Sequence, residues 1–277
     1  TVTDPASLAD ATAINGFTTG KVTLNSVEDT YAKIQDIKLI ADGEVDMGAA
    51  AVKVSDNVTK TEVDDLRGDT TGDITLTSVT EDKADLKAIN DFSDVILSTA
   101  NITVTDNVDK SEADIIDAYS NTSGTVTLTS ITDTVENVTA VENNVNISLD
   151  TSTITVTDPA SLADATAING FTDGLVTLQK VEDTVSNITS IDGIDSNDLS
   201  MASAAITVTD SASLADATAI NGFTDGLVTL QKVEDTVSNI TSIDGIDSED
   251  VSMAAAAVTV TDPASLADAT AINGFTD

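Results

Sequence analysis

The chain has 277 residues and a formal net charge of −37 at pH 7, from 48 acidic and 11 basic side chains. This charge argues against nucleic acid and anionic lipid as partners, because both require clustered Lys and Arg. The chain lacks Cys and His, which excludes disulfide frameworks, thiolate or imidazole metal sites and His-based acid–base catalysis. No apolar run is long enough to span a membrane.

Apolar residues make up 40% of the chain and recur periodically, which indicates a folded protein rather than a disordered one. Only 3% of the residues are aromatic, so we expect a thin core of Ala, Val, Ile and Leu. A dense acidic surface with few lysines is typical of a protein in salt water, where screening weakens self-repulsion.

A cassette of about 52 residues recurs along the chain. Residues 154–205 and 206–257 differ at four pairs of positions only: Pro159/Ser211, Asn197/Glu249, Leu199/Val251 and Ser203/Ala255. The repeats span residues 1–51, 52–101, 102–153, 154–205 and 206–257, and a partial copy spans residues 258–277. The first repeat is incomplete at its N-terminal end. Because the chain begins inside one strand and stops inside a sixth copy, we expect it to be a window of a longer array.

Each repeat begins with an alternating, β-branched segment. In residues 154–158 the apolar side chains of Ile154 and Val156 alternate with threonines, which predicts a half-buried strand. A helix follows, starting either at Asp158-Pro159 or at a capping box of Ser161 with Asp164. We expect the helix to end at Asn169-Gly170 with a left-handed glycine cap.

A second strand and a second helix complete the repeat. Turn residues 172–174 precede a predicted strand over residues 175–178. The spacing of Val181, Val185, Ile188 and Ile191 predicts a helix that Asp192-Gly193 ends. The return segment, residues 197–205, is compatible with a short helix or with an irregular packed stretch.

The predicted fold is therefore an α/β repeat solenoid of strand–helix–strand–helix units with a parallel β-sheet. Strands joined by helices are expected to be parallel with right-handed crossovers. If all strands join one sheet, each repeat rises by roughly 10 Å. A row of separate small domains is the alternative, but one repeat alone buries little surface.

Two features suggest binding. Acidic loops contain carboxylates that could bind calcium, although the EF-hand pattern is absent. The alternative to a calcium site is a loop whose carboxylates are only solvated. The candidate calcium ligands are Asp192, Asp195, Asp198, Asp244, Asp247 and Asp250. Exposed Thr-x-Thr pairs form a candidate binding face that resembles ice-binding solenoids, and ordinary β-propensity is the alternative. These threonines are Thr155, Thr157, Thr207 and Thr209.

Two further motifs have alternative explanations. N-glycosylation sequons begin at Asn57, Asn101, Asn121, Asn137, Asn146, Asn187 and Asn239, and several are expected by chance in a Thr-rich chain. Paired carboxylates such as Glu182-Asp183 are found in hydrolases, but hydrolysis requires two carboxyl groups across a cleft. We therefore predict no enzymatic activity and no catalytic residue.

The segment that runs from Ile154 to Leu178, ITVTDPASLADATAINGFTDGLVTL, resembles the Thr/Ala/Asp-rich tandem repeats of giant cell-surface proteins of marine bacteria, especially cyanobacteria. The resemblance covers essentially the whole chain and implies an exported structural or adhesive protein in a cell surface, sheath or filament. Similar repeats also fit a phage fibre.

We therefore interpret the chain as a structural repeat segment, extracellular or at the cell surface, whose partners are neighbouring copies or further repeats. The alternative is an adhesin-type multivalent module for glycan, ice or protein, with or without calcium.

Overall fold

A computed structural model of the protein describes residues 1–40, 44–120, 124–246 and 249–276. The chain divides into two compact units. The N-terminal unit comprises residues 1–130 and 144–149, and the C-terminal unit comprises residues 131–143 and 150–277. Each unit alternates short strands with short helices.

The helices and strands of the N-terminal unit are all short. Its helices are α1 Leu8–Asn15, α2 Tyr31–Lys38, α3 Lys60–Asp69, α4 Lys83–Asn90 and α5 Lys110–Ser120. Its strands are β1 Val22–Thr23, β2 Ser26–Asp29, β3 Val45–Asp46, β4 Ala51–Val58, β5 Ile74–Glu81, β6 Val95–Ile96, β7 Asn101–Val108 and β9 Ile147–Ser148. Strand β8, Val126–Asp133, belongs to this unit up to Ser130.

The C-terminal unit continues the same alternation. Its helices are α6 Val135–Glu142, α7 Leu162–Asn169, α8 Val185–Asp192, α9 Leu214–Asn221, α10 Val237–Asp244 and α11 Leu266–Asn273. Its strands are β10 Thr153–Ala160, β11 Val176–Asp183, β12 Leu199–Ser200, β13 Ala205–Ala212, β14 Val228–Asp235, β15 Val251–Ser252 and β16 Ala257–Val260.

The predicted α/β class with parallel strands is confirmed. In the N-terminal unit β2 pairs with β4, β4 with β5 and β5 with β7, all in parallel. In the C-terminal unit the parallel order is β10, β11, β13, β14 and β16. We call the first long strand and helix of each repeat the A rung, and the second long strand and helix the B rung.

The apolar side chains of both rungs meet between the strands and the helices. Ile154 and Val156 of the A strand and Val176 of the B strand have no exposed surface. Helix residues such as Ile168 and Ile188 cover them and are equally buried. The inward-facing residues predicted from the period-2 and helical patterns are therefore in the core, which each rung shares with its neighbours.

Two predicted boundaries are wrong. Asp158-Pro159 does not start a helix, because strand β10 continues to Ala160 through an irregularity between Val156 and Pro159. Val181 lies in strand β11 opposite Ala160, and not in the second helix. A residue at a bulge points away from the regular strand alternation, which makes the strand end hard to recognise from sequence.

The first helix begins at the other predicted start, the capping box of Ser161 with Asp164, which is confirmed. Ser161 donates its backbone N–H to Asp164 Oδ2 at 2.9 Å, and its Oγ accepts the N–H of Asp164 at 3.3 Å. The helix ends at Asn169 as predicted, but Gly170 has φ −78° and ψ −7°. The expected left-handed cap is therefore wrong, because the chain leaves this helix through right-handed backbone.

The return segment contains a third strand that the sequence patterns did not predict. Strand β12 pairs with the start of β11, where Val176 lies opposite Leu199. Met201 and Ala204, which follow it, are buried. Residues 199–212 thus lie along one edge of β11, as a short strand, an irregular link and a long strand.

Successive repeats are staggered along the strand direction. Val181 lies opposite Ile206, and Ile206 lies opposite Val228, which is the counterpart of Val176 in the next repeat. On strand β11, the preceding A strand places Ile154 opposite Val176, whereas the following A strand places Ile206 opposite Val181. The strand register therefore advances by five residues from one repeat to the next. At 3.3 Å per residue this is a displacement of about 17 Å along the strands, in addition to about 10 Å across them.

The glycine before strands β5, β11 and β14 lies against a backbone carbonyl. A Cβ built on Gly72 would lie 2.3 Å from the Ala50 carbonyl oxygen. The Thr70 hydroxyl donates to the same oxygen at 2.6 Å and accepts the Gly72 N–H at 3.0 Å. Gly174 and Gly226 approach the carbonyls of Ser152 and Ala204 to 2.2 and 2.3 Å by the same measure. Only glycine fits at these positions.

We expect Gly72→Ala to lower the free energy of unfolding by about 1–3 kcal/mol, because the added methyl group forces the backbones apart. Gly68→Ala is the matched control: Gly68 lies in α3 and has no atom within 4 Å of an added Cβ. That variant is expected to be stabilised by about 0.5–1 kcal/mol. Urea unfolding followed by circular dichroism measures both, and equal effects would contradict the packing argument.

Candidate functional site

The first acidic loop uses its carboxylates for local structure. Asp192 is the last residue of α8. Asp195 Oδ1 accepts the backbone N–H of Asn197 at 3.0 Å and its side-chain amide at 2.8 Å. These hydrogen bonds lower the pKa of Asp195. The Asp198 carbonyl accepts the Val176 N–H at 2.8 Å, which ties the loop to strand β11.

The second acidic loop has the same arrangement where it is described. Asp244 ends α10, and the Asp250 carbonyl accepts the Val228 N–H at 2.8 Å. Asp247 lies outside the described residues. Over residues 1–40, 44–120, 124–246 and 249–276, no three acidic side chains form a group that could hold a metal ion. The calcium site stays a prediction.

The threonine face is interrupted by charge. Thr155, Thr157, Thr207 and Thr209 are all half-buried on the sheet. Thr155 lies opposite Thr177 and Thr207 lies opposite Thr229, but the other neighbour of Thr207 is Glu182. Lys180 lies between Pro159 and Ala205. Lys180 and Glu182 are both exposed, so the threonines form pairs rather than a continuous array.

A column of carboxylates at the strand ends was not predicted. Helices α1 to α4 and α6 to α10 donate the N–H of their first residue to a carboxylate on the following rung. B-rung carboxylates accept from A-rung helices: Asp29 from Leu8 at 3.1 Å, Glu81 from Lys60 at 2.6 Å, Asp183 from Leu162 at 2.9 Å and Asp235 from Leu214 at 3.0 Å.

A-rung carboxylates do the same for B-rung helices. The pairs are Asp56 with Tyr31 at 2.8 Å, Asp106 with Lys83 at 3.0 Å, Asp158 with Val135 at 2.8 Å, Asp210 with Val185 at 2.8 Å and Asp262 with Val237 at 2.9 Å. Asp158 is therefore a helix cap, as its residue type suggested, but it caps the helix of the preceding rung. We call these nine carboxylates the inter-rung caps.

The inter-rung caps complete helices that cannot cap themselves fully. The first N–H groups of a helix have no partner within the helix, and the helix dipole makes this end positive. In α7 the hydroxyl of Ser161 accepts the N–H of Asp164, the third helical residue. The N–H of Leu162 is left for Asp183. The start of each of these nine helices thus depends on the next rung.

Asp183 accepts hydrogen bonds from three donors, as its counterpart Asp235 does. Its Oδ2 accepts from Leu162, and its Oδ1 accepts the Thr184 N–H and the Asn187 side-chain amide, each at 2.8 Å. Burial raises the pKa of Asp183, but these three donors outweigh burial and hold the pKa below its ordinary value. The sequon residue Asn187 is therefore part of a helix cap, and Asn239 makes the same bond to Asp235.

Comparison of the chain with protein-family models, curated protein sequences and solved structures finds no match. Among the helices in the described ranges, none has the length and hydropathy needed to cross a bilayer. The resemblance to bacterial surface repeats therefore stays an expectation. The inter-rung caps recur with the same geometry, which makes them the strongest candidate for a functional feature of the chain.

We expect Asp183→Asn to lower the free energy of unfolding by about 1–2 kcal/mol, because the amide can no longer accept from all three donors. Asp192→Asn is the matched control, since Asp192 is exposed at the negative end of α8. Its replacement is expected to be neutral or slightly stabilising. Urea unfolding compares the two variants, and an equal loss in both would exclude the inter-rung role of Asp183.

The contribution of Asp183 to the free energy of unfolding should also depend on pH. A carboxyl group whose pKa is lowered on folding stabilises the protein above its unfolded pKa, about 3.9, and this stabilisation is lost as pH falls through the folded pKa. The difference in unfolding free energy between the parent chain and Asp183→Asn should be constant from about pH 7 to 5 and shrink below about pH 4. A difference that persists unchanged to the lowest pH would contradict this cause.

Proposed function

We propose that this chain is a structural repeat segment of an extracellular, cell-surface or filament-forming protein, and that stacking of its rungs provides length and stiffness. The observation that carries this proposal is the set of inter-rung caps. Nine rungs supply the carboxylate that completes the helix before them, so a rung is stable as part of a stack. Repetition of one contact suits an array of any length.

The buried residues support the same role. Ile154, Val156 and Ile206 lie between neighbouring rungs and are 0–1% exposed. Their counterparts Val52, Val54, Ile102 and Val104 are buried as well. The two repeats at 154–205 and 206–257 are nearly identical in sequence. In such arrays stability is approximately a sum of repeat terms and nearest-neighbour terms.

The role we propose is not enzymatic. The groove beside α1 is lined by Ser7, Leu8, Ala9, Thr12 and Asp29, among others. The groove beside α7 is lined by their counterparts Ser161, Leu162, Ala163, Thr166 and Asp183. A groove that recurs with the repeat, and whose carboxylate caps a helix, is suited to packing rather than to a unique catalytic centre.

The alternative, a multivalent binding module, receives less support. A regular face would favour glycan, ice or protein binding, but Lys180 and Glu182 interrupt the threonines on the sheet. For the location outside the cell we rely on the acidic composition and the resemblance to bacterial surface repeats. Micrographs of the native source would distinguish fibres, stalks with a distal head and phage fibres.

The stacking proposal is tested by inserting further copies of residues 154–257, two repeats at a time. The maximum dimension from small-angle X-ray scattering should increase by a constant step of about 10–20 Å per repeat, from strand spacing and stagger. The urea midpoint should rise with repeat number and then level off.

The matched control carries Asp158→Ala, Asp183→Ala, Asp210→Ala and Asp235→Ala in every inserted copy of residues 154–257. Its inserted rungs lack inter-rung caps, so they should unfold at a lower urea concentration than the other rungs. If the dimension instead grows as the square root of the inserted length, as in a flexible chain, the inserted repeats do not stack and the proposal fails.

A further inference from the structure

We propose, on the basis of the stacking function proposed above, that the repeats also carry tension along the array. A pull along the array acts on the contacts between inner strands as shear, which is the direction in which a parallel ladder resists most. This role goes beyond length and stiffness, because a stiff spacer needs no resistance to stretching. The register of the inner strands carries the proposal.

Each repeat is displaced toward the C-terminal ends of the strands of the repeat before it. On β11, the following A strand pairs five residues closer to the C-terminal end than the preceding A strand does. Five residues correspond to about 17 Å along the strands, and two strand spacings to about 10 Å across them. The step from a residue to its counterpart in the next repeat is therefore about 30° from the strand direction.

The inner strands of the N-terminal unit have the same displacement. On β5, Val52 of the preceding A strand lies opposite Ile74. Ile102 of the following A strand lies opposite Val79, which is five residues further on. The sequences of these repeats differ from residues 154–257 at many positions. The displacement therefore belongs to the fold, and not only to the two nearly identical repeats.

Tension along the array would slide neighbouring strands past each other. It pulls earlier repeats toward the N-terminal ends of the strands and later repeats toward the C-terminal ends. The hydrogen bonds of one ladder then share the force and have to break together, whereas a pull across the strands breaks them one after another. Without the displacement, the same tension would act across the strands.

Sliding of a strand would also disrupt the core. A slip of one residue turns inward-facing side chains to the other face of a sheet. Ile206 and Val208 of β13 are 1% and 0% exposed, so a slip would expose both to water. The same strand has an irregularity between Val208 and Ser211, and its extra residue fits the ladder with β14 in one register.

Side-chain hydrogen bonds hold both ends of the inner strand β13 against the same force. Just before β13, the Thr224 hydroxyl of the following B rung donates to the Ala204 carbonyl at 2.7 Å. Near its end, Asp210 accepts the N–H of Val185, in the preceding B rung, at 2.8 Å. Opposite movement of β11 and β14 along the strands would stretch both bonds. We call these two bonds the end clamps.

Pulling in two directions on the same two strands tests the proposal, since the native chain has no Cys and accepts thiol-linked handles where they are introduced. Glu182 of β11 and Thr229 of β14 both lie opposite Thr207. The variant with Glu182→Cys and Thr229→Cys is therefore pulled across the strands. Thr177 is five residues before Glu182, and Glu234 is five residues after Thr229. The variant with Thr177→Cys and Glu234→Cys is therefore pulled along the strands.

Optical tweezers measure the rupture force of both variants as full chains at one loading rate, because forced unfolding is controlled by rate. We expect the pull along the strands to require several times the force of the pull across them. Equal forces, or a higher force across the strands, would overturn the proposal. The stacking proposal fails separately, if inserted repeats do not lengthen the chain by a constant step.

Adding Asp210→Ala to the variant pulled along the strands tests the end clamps, because the change removes the acceptor of the Val185 N–H. We expect the rupture force to fall. Asp192→Ala is the matched control, since Asp192 is exposed at the last residue of α8, and its rupture force should be unchanged. Equal forces in these two variants would show that the clamp at Asp210 carries no tension.

Discussion

The structure depends on hydrogen bonds between the start of each helix and a carboxylate on the next rung. Leu162 and Asp183 are one such pair, and Val185 and Asp210 are the next. A helix of eight residues is marginal in water, and its first N–H groups have no partner within it. Burial of the apolar core stabilises the stack, but the hydrophobic effect is not directional. These hydrogen bonds are directional, and they specify which residue of one rung pairs with which residue of the next.

The inter-rung caps account for part of the high content of acidic residues in the chain. The inter-rung caps are anions at the positive ends of helices, where a negative charge is stabilising. Asp183 and Asp235 keep a lowered pKa despite partial burial, because hydrogen-bond donors surround them. In the N-terminal unit, cations pair with further carboxylates, as in Lys60 with Asp64 and Lys110 with Asp114. The repeats at 154–205 and 206–257 carry one lysine each, and their acidic residues serve capping and hydration.

Local patterns in the sequence predicted most of the fold, because they reflect which side chains face the core. Ile154, Val156, Ile168 and Ile188 have the predicted positions. The caps were missed because Asp183 and Leu162 are 21 residues apart, a distance that no local motif encodes. Strand β12 has two residues only, too few for a period-2 pattern. Of the candidate sites, the threonines lie on the sheet but are half-buried rather than exposed. Their partners, such as Glu182, are determined by the stagger between repeats.

That stagger has an electrostatic consequence for a chain built of nearly identical copies. Without it, like-charged residues such as Glu182 and Glu234 would face each other two strands apart, at about 10 Å. The advance of five residues per repeat, seen where Val181 rather than Val176 meets Ile206, moves them to about 20 Å. The Debye length is about 8–10 Å in physiological salt, so the first distance leaves repulsion between the copies and the second allows salt to screen it. An oblique array can therefore repeat one acidic sequence many times without an equal growth in repulsion between neighbours.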